Sequence, residues 1–206
     1  IEAVRAESPT VKSLFFEDGP CTKARAGQFL MVWVPGVDEI PLSLSSIPSS
    51  NRLSAVTVAE VGQATRALNE KNSGDAIGIR GPFGNHFSKV GKDVIVVGGG
   101  IGMAPLMPLI EDLIKEKIDP AILTGARTKS ELIFLDRLEK ATSNGGRIIV
   151  TTDDGSYGTR GLVTDVLRKI LASEEFEAAY ACGPEKMIRR VYSLTEEYKV
   201  PLQASL

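Results

Sequence analysis

The sequence predicts a two-part chain, a small antiparallel β-barrel over residues 1–91 followed by a parallel α/β domain over residues 92–206. Three observations carry this reading. Short β-branched runs separated by turn residues fill about the first ninety positions. From Asp93 onward, apolar runs of strand length alternate with helix-length stretches. At the change-over, the β-branched residues 94–97 run into Gly98, Gly99 and Gly100, a strand that turns through glycines towards a helix.

In the first part, strands are expected at residues 11–16, 28–34, 41–47, 53–61 and 76–79, where β-branched or alternating apolar residues gather. Turn chemistry separates them at Asp18-Gly19-Pro20, Pro35-Gly36, residues 48–51, and Gly81-Pro82 with Gly84-Asn85. A short helix is expected from Thr65 through Leu68. Trp33 is expected to pack inside the barrel, and evenly spaced short strands favour a closed one. In the second part, strands are expected at 93–97, 121–124, 147–152, 178–182 and 201–205, with helices at 103–117, 130–141, 162–171 and 185–198. That alternation is the pattern of a parallel sheet with crossover helices.

The glycine turn is the central feature. Glycine accepts unusual backbone angles and lets a pyrophosphate approach the main chain. A helix start adds free N–H groups and a positive dipole end. The spacing is G-x-G-x-x-P, from Gly100 through Gly102 to Pro105; counted from Gly98, Met103 stands where G-x-G-x-x-G needs its last glycine. A ligand-free strand–helix turn is the competing reading. The other strand ends weigh against it: Thr124-Gly125-Ala126-Arg127, Thr151 to Gly155, and Cys182-Gly183-Pro184 are all polar or glycine-rich. Ligands of open α/β sheets collect on that rim.

Composition narrows the function classes. With 43% hydrophobic and 24% charged residues the chain is an ordinary globular protein. A net charge of -2 gives no reason to expect nucleic acid or an anionic membrane as partner. No run approaches the roughly 18 apolar residues of a membrane span. There is no signal-peptide pattern and no initiator Met, so a trimmed N-terminus is expected. Cys21 and Cys182 make neither a disulfide framework nor a metal site, and a reducing, cytoplasmic setting is expected. The single histidine, His86, argues against histidine-based catalysis.

Gly100 to Pro105, Gly125-Ala126-Arg127, Asp153 to Ser156 and Cys182-Gly183-Pro184 together resemble the nicotinamide domain of the ferredoxin–NADP reductase superfamily. A barrel placed before an α/β domain matches its order too. Ala26 to Phe29, Pro41-Leu42-Ser43, Gly81 to Gly84, Asp153 to Gly158 and Gly161 to Asp165 are similar to the electron-transfer subunit family of NAD-dependent (class 1B) dihydroorotate dehydrogenase. The resemblance runs over the whole chain. It implies a ferredoxin reductase-like fold, a flavoprotein oxidoreductase of pyrimidine biosynthesis, and a heteromeric complex with a dihydroorotate dehydrogenase catalytic subunit. Reductase subunits of other NAD(P)H-linked complexes, such as a hydrogenase, and a flavin-free nucleotide-binding regulatory module are the alternatives.

The resemblance also assigns residues. Flavin would lie against Ile40, Pro41, Leu42 and Ser43, then Thr57, Val58 and Ala59, then Gly62, Ala64 and Thr65. The family has an arginine where this chain has Ile40, and an isoleucine cannot fork a pyrophosphate. FAD is therefore expected, with FMN as the alternative that Ile40 opens; Arg66 and Arg80 are candidate substitutes for the arginine. Thr65 reads equally as a helix cap with no ligand. NAD(H) would lie over Gly99, Gly100, Ile101 and Gly102, with Gly125, Ala126, Arg127, Met187 and the Cys182-Gly183-Pro184 turn around it. Asp153 and Asp154 would repel a 2′-phosphate and so favour NADH over NADPH, unless they only shape a turn; Arg127 could reach a phosphate and points the other way. Ser43 and Cys182 would flank the hydride transfer from nicotinamide to flavin, which needs no acid–base pair. Relatives continue past the segment 203–206 into a lobe binding a [2Fe–2S] cluster through four thiolates or close substitutes. The 206 residues hold two cysteines, so that cluster is expected only if residues beyond 206 exist.

Overall fold

The computed structural model describes residues 1–48 and 53–205; the expected turn at 48–51 lies outside them from residue 49 onward, as does Leu206. The chain divides into two compact units, Ile1–His86 and Phe87 onward.

The first unit contains β1 (Ala3–Ser8), β2 (Val11–Phe16), β3 (Phe29–Val34), β4 (Asp38–Ser46), β5 (Ser54–Ala59), α1 (Gln63–Asn69) and β6 (Gly78–Phe83). The strands form one antiparallel sheet in the order β1-β2-β5-β4-β3-β6. β4 serves two neighbours, its first half pairing with β3 and its last residues with β5, which wraps the sheet into a barrel-like form. Alternation then divides the side chains. Leu14, Leu30, Val32, Leu44, Val56 and Val58 enclose one core, which Leu68 of α1 and Cys21 complete. On the opposite face Ser13, Thr57 and Ser45 join hydroxyls, with Ser13 to Thr57 and Thr57 to Ser45 each at 2.7 Å. Buried hydroxyls need such partners.

Trp33 does not pack inside. It is 51% exposed and rests against Gly78, where an added Cβ would sit 2.8 Å from the indole. Its neighbours Val32 and Val34 face the core, so strand alternation sends Trp33 outward. β1 has no counterpart in the sequence reading, because half of AVRAES is exposed and the segment carries little apolar signal beyond Val4, which packs against the core.

The second unit contains β7 (Val94–Gly99), α2 (Met103–Lys115), β8 (Ala121–Ala126), α3 (Leu135–Ala141), β9 (Arg147–Thr152), β10 (Thr159–Arg160), α4 (Val163–Ser173), β11 (Ala178–Cys182), α5 (Glu185–Glu197) and β12 (Leu202–Ser205). All pairings are parallel, in the order β10-β9-β8-β7-β11-β12. β7 lies between β8 and β11 and is buried on both faces, which explains its unbroken apolar run. Ile95, Val97, Leu123, Ala179 and Ala181 pack against Leu167 of α4 and Val191 and Leu194 of α5. α2 packs on β7 and β11, burying Met103, Leu106, Met107, Leu109, Ile110 and Leu113. Chain order reverses between β7 and β11, so their adjacent ends form the topological switch point.

The helix expected at 130–141 starts later, at Leu135. Leu132, Ile133 and Phe134 are all buried. They go inside as non-helical chain ahead of α3. Phe134 then takes a left-handed turn, φ 62°, before α3.

Candidate functional site

The switch point is built from close contacts at glycines, against backbone at Gly102 and against side chains at Gly99. An added Cβ at Gly102 would meet the Cys182 carbonyl oxygen at 2.3 Å. At Gly99 it would meet Met187 Sδ at 2.5 Å and Pro184 Cδ at 3.1 Å. These glycines press the turn after β7 onto the turn after β11, whose strands pair Gly98 with Cys182. Gly100 differs: its φ is +54° and nothing lies within 4 Å of its Cβ position. The turn therefore leaves one glycine facing open space at the start of the 3-10 turn Gly100–Gly102, which leads into α2.

A cleft of about 630 Å³ opens there. Of the sequence-predicted residues, Gly99 and Gly100 line it from β7, Gly125, Ala126 and Arg127 from the end of β8, Asp153 from the end of β9, and Pro184 and Met187 from the start of α5. Gly102, Ile101, Cys182, Gly183 and Asp154 stand outside that lining. Gly102 and Cys182 act beneath it as the contact that joins the two turns. Burial pushes the Cys182 thiol above its ordinary value, opposed by a hydrogen bond with the Ser205 side chain. The thiol is thus neutral near pH 7, suited to packing and not to nucleophilic attack.

The two aspartates separate. Asp154 accepts hydrogen bonds from Ser156 N at 2.9 Å and Ser156 Oγ at 2.6 Å, and those bonds hold its carboxyl below the usual range. It shapes its own turn. Asp153 faces the cleft. Arg127 also faces it, yet its guanidinium is forked onto Glu131, Nε to Oε2 at 2.9 Å and Nη2 to Oε1 at 2.7 Å. Glu131 holds the guanidinium pKa up, with a further contribution from the charge of Asp153.

Sequence reasoning missed seven of the lining residues. Glu131 was signalled only by its spacing of four from Arg127. Leu162, Val163, Thr164 and Asp165 bring the start of α4 to the cleft. Their signal was the motif Gly161 to Asp165, read for resemblance and not for position. Lys186 and Arg190 reach it from one face of α5, again at a spacing of four.

In the first unit, β4 and β5 pair and α1 packs on both, so the three segments assigned to flavin adjoin one another. Ile40 and Leu42 lie on the core face, opposite Val32 and Leu30. Pro41 is exposed and Ser43 half-buried on the other face. Val58 is in the core, Ala59 is half-buried and Ala64 is buried. Thr65 Oγ1 accepts the N–H groups of Val61 (3.0 Å) and Gly62 (2.8 Å) and donates to Gly62 O (3.0 Å). Beside it Val61 is 84% exposed, and nothing lies within 4 Å of a Cβ at Gly62. The candidate arginines are each paired, Arg80 in a fork with Glu39 and Arg66 with Glu60 at 3.1 Å.

Among the described residues no group of three or more His, Cys, Asp or Glu could hold a metal ion. Among them, too, no helix is long and apolar enough to cross a membrane.

Comparison with known proteins adds the following. Residues 96–193 match the oxidoreductase NAD-binding domain family. The chain is 41% identical over 206 residues to the probable dihydroorotate dehydrogenase B (NAD(+)), electron transfer subunit, of Methanocaldococcus jannaschii, covering 100% of this chain and 76% of that one. It is 41% identical over 197 residues to the protein of the same name in Methanocella arvoryzae, covering 96% and 72%. Among solved structures it is similar to an NADH-dependent reduced ferredoxin–NADP oxidoreductase studied for flavin-based electron bifurcation, with TM-score 0.88, 30% identity, and 100% and 75% of the two chains covered. A ferredoxin–NADP+ reductase of Neisseria gonorrhoeae, solved with bound FAD and NADP, shares the fold at TM-score 0.82 and 16% identity, covering 100% and 96%.

Proposed function

The chain belongs to the family of dihydroorotate dehydrogenase B (NAD(+)) electron transfer subunits, and from that membership we propose that it passes electrons between NAD(H), held in the second unit, and a catalytic partner through a flavin held on the first. One observation carries the nucleotide half of this reading: at the switch point a single glycine, Gly100, faces open space while its neighbours are packed.

The chain's own residues then divide the work. Gly100 lets a pyrophosphate approach the main chain near the start of α2. Asp153 offers a carboxylate to ribose hydroxyls, which donate to it, and its charge opposes a 2′-phosphate. Pro184 and Met187 give an apolar wall, and the neutral Cys182 thiol keeps charge away from it.

On the first unit, the open ground at Gly62, the exposed Val61 and Pro41, and the half-buried Ser43 hydroxyl fit a flavin. Ser43 would hydrogen-bond its ring. Ile40 faces the core and leaves the pyrophosphate to Arg66 or Arg80. Their ion pairs are exposed, so each contributes little and is exchangeable for phosphate contacts. FAD is the flavin we propose. When bound, it supplies the conversion between two-electron transfer from nicotinamide and one-electron transfer to iron–sulfur carriers. The partner is the dihydroorotate dehydrogenase catalytic subunit. The free thiols of Cys21 and Cys182 fit a reducing cytoplasm.

The likeness at 30% identity to an NADH-dependent ferredoxin–NADP oxidoreductase favours a second reading, in which a different complex is served. Purifying the protein from its natural host tests both. The first reading expects a yellow complex that releases FAD and contains a dihydroorotate dehydrogenase chain. A yellow complex with another catalytic chain supports the second. A colourless protein that resists flavin reconstitution contradicts both.

A further inference from the structure

We propose that Glu131 is a positioning residue that makes the cleft discriminate against dinucleotides carrying a 2′-phosphate, by occupying the fork of Arg127. This rests on the reading that the cleft takes a pyridine dinucleotide.

Alone, Arg127 would favour a phosphate. It stands at the end of β8 on the cleft wall, with its side chain 80% exposed. A free guanidinium there is a bidentate receptor for a phosphate dianion. Its neighbour across the sheet is Asp153, whose backbone N–H donates to Ala126 O at 3.1 Å. An arginine beside the ribose-facing carboxylate would pull the site towards NADPH. Glu131 competes for that contact. Its two oxygens take Nε at 2.9 Å and Nη2 at 2.7 Å, one of the two donor edges that a guanidinium offers a phosphate, and they set a second negative charge beside the other.

Glu131 is presented for this by the 3-10 turn Lys129–Glu131, which is braced from two sides. Glu131 N donates to Thr128 O at 3.2 Å. Lys129 N donates to Ser156 Oγ at 2.8 Å, and that hydroxyl in turn donates to Asp154. The loop after β9 that carries Asp153 thus also holds the turn that carries Glu131. With Glu131 in place, a 2′-phosphate meets a neutralised arginine flanked by two carboxylates. A ribose hydroxyl still finds an acceptor in Asp153.

An exposed ion pair of spacing four contributes little to stability. A role in packing therefore predicts almost no effect from removing Glu131, whereas a role in discrimination predicts a change in the ratio of two affinities. The test is equilibrium binding of NADH and of NADPH to the whole protein, its Glu131→Gln variant and the double variant Arg127→Ala/Glu131→Gln. Thermal melts confirm that each is folded. We expect the parent to favour NADH. In Glu131→Gln the NADPH dissociation constant falls about fivefold or more relative to that of NADH, because a released fork gains a charge-assisted phosphate contact. In the double variant the gain disappears. An unchanged ratio in Glu131→Gln, or a gain that survives loss of Arg127, would overturn the inference and leave the cleft reading intact. A parent protein that binds neither dinucleotide would overturn the cleft reading and this inference with it.

Discussion

The two units treat their sequence-predicted ligand residues differently. In the α/β unit, residues distant in sequence, from Gly99 to Met187, meet around one cleft. In the barrel unit, a consecutive run such as Ile40 to Ser43 splits, with Ile40 and Leu42 against the core and Pro41 and Ser43 on the other face. The physical reason is periodicity. A parallel sheet delivers every strand end to the same rim, where turns leave backbone free. A barrel strand alternates, so half of any motif read along it is core. Each motif at a strand end brings at least one residue to the cleft, while a motif along a strand presents only every second residue to one face.

Substitutions can break that comparison. The largest effect is expected at Gly102, whose missing Cβ makes room for the backbone of Cys182. Gly102→Ala should lower unfolding free energy by about 3 kcal/mol in denaturant titrations. Gly62, in the barrel unit, has open space and φ -152°. Gly62→Ser should change stability by less than about 0.5 kcal/mol. Equal effects at the two glycines would erase the distinction between packed and open turns.

The next effect sharpens the barrel side. Thr57 links Ser13 and Ser45 across the buried outer face of β5. Thr57→Val keeps the shape but takes a partner from both hydroxyls, and should cost about 1–2 kcal/mol. Should its main effect instead be loss of flavin with stability intact, Thr57 belongs to a site and not to packing.

The smallest effect is a pH dependence. Burial, with the Asp18 carboxylate beside it, pushes the Cys21 thiol from 9.0 up to about 12. The folded state thus keeps a proton that the unfolded state loses. Stability from Cys21 is fully present below pH 9.0 and declines as pH rises towards about 12. Cys21→Ala should flatten that alkaline decline, read as melting temperature against pH. A decline unchanged by the substitution would place its origin elsewhere.

Legibility in the sequence followed the same division. The β-branched run 94–97 and its glycines announced both β7 and the cleft, because a strand buried on both faces leaves a continuous signal. β1 was silent, since an edge strand that sends little more than Val4 towards the core needs only a weak apolar pattern. α3 was read too long, because the left-handed Phe134 delays the start of the helix to Leu135. Trp33 was misplaced because composition ranks tryptophan as core while strand parity puts it outside. Glu131 was illegible as a site residue, since its meaning lies in the partner it holds.

The most direct measurement of the central claim is hydrogen–deuterium exchange of the whole protein with and without saturating NADH. Protection is expected at the amides around Gly99 to Met103, at 125–127 and 153, and at the start of α5, with little change in β1 and β2. Binding accompanied by protection confined to the barrel unit, or by none at the turn after β7, would contradict the assignment of the dinucleotide to the α/β cleft.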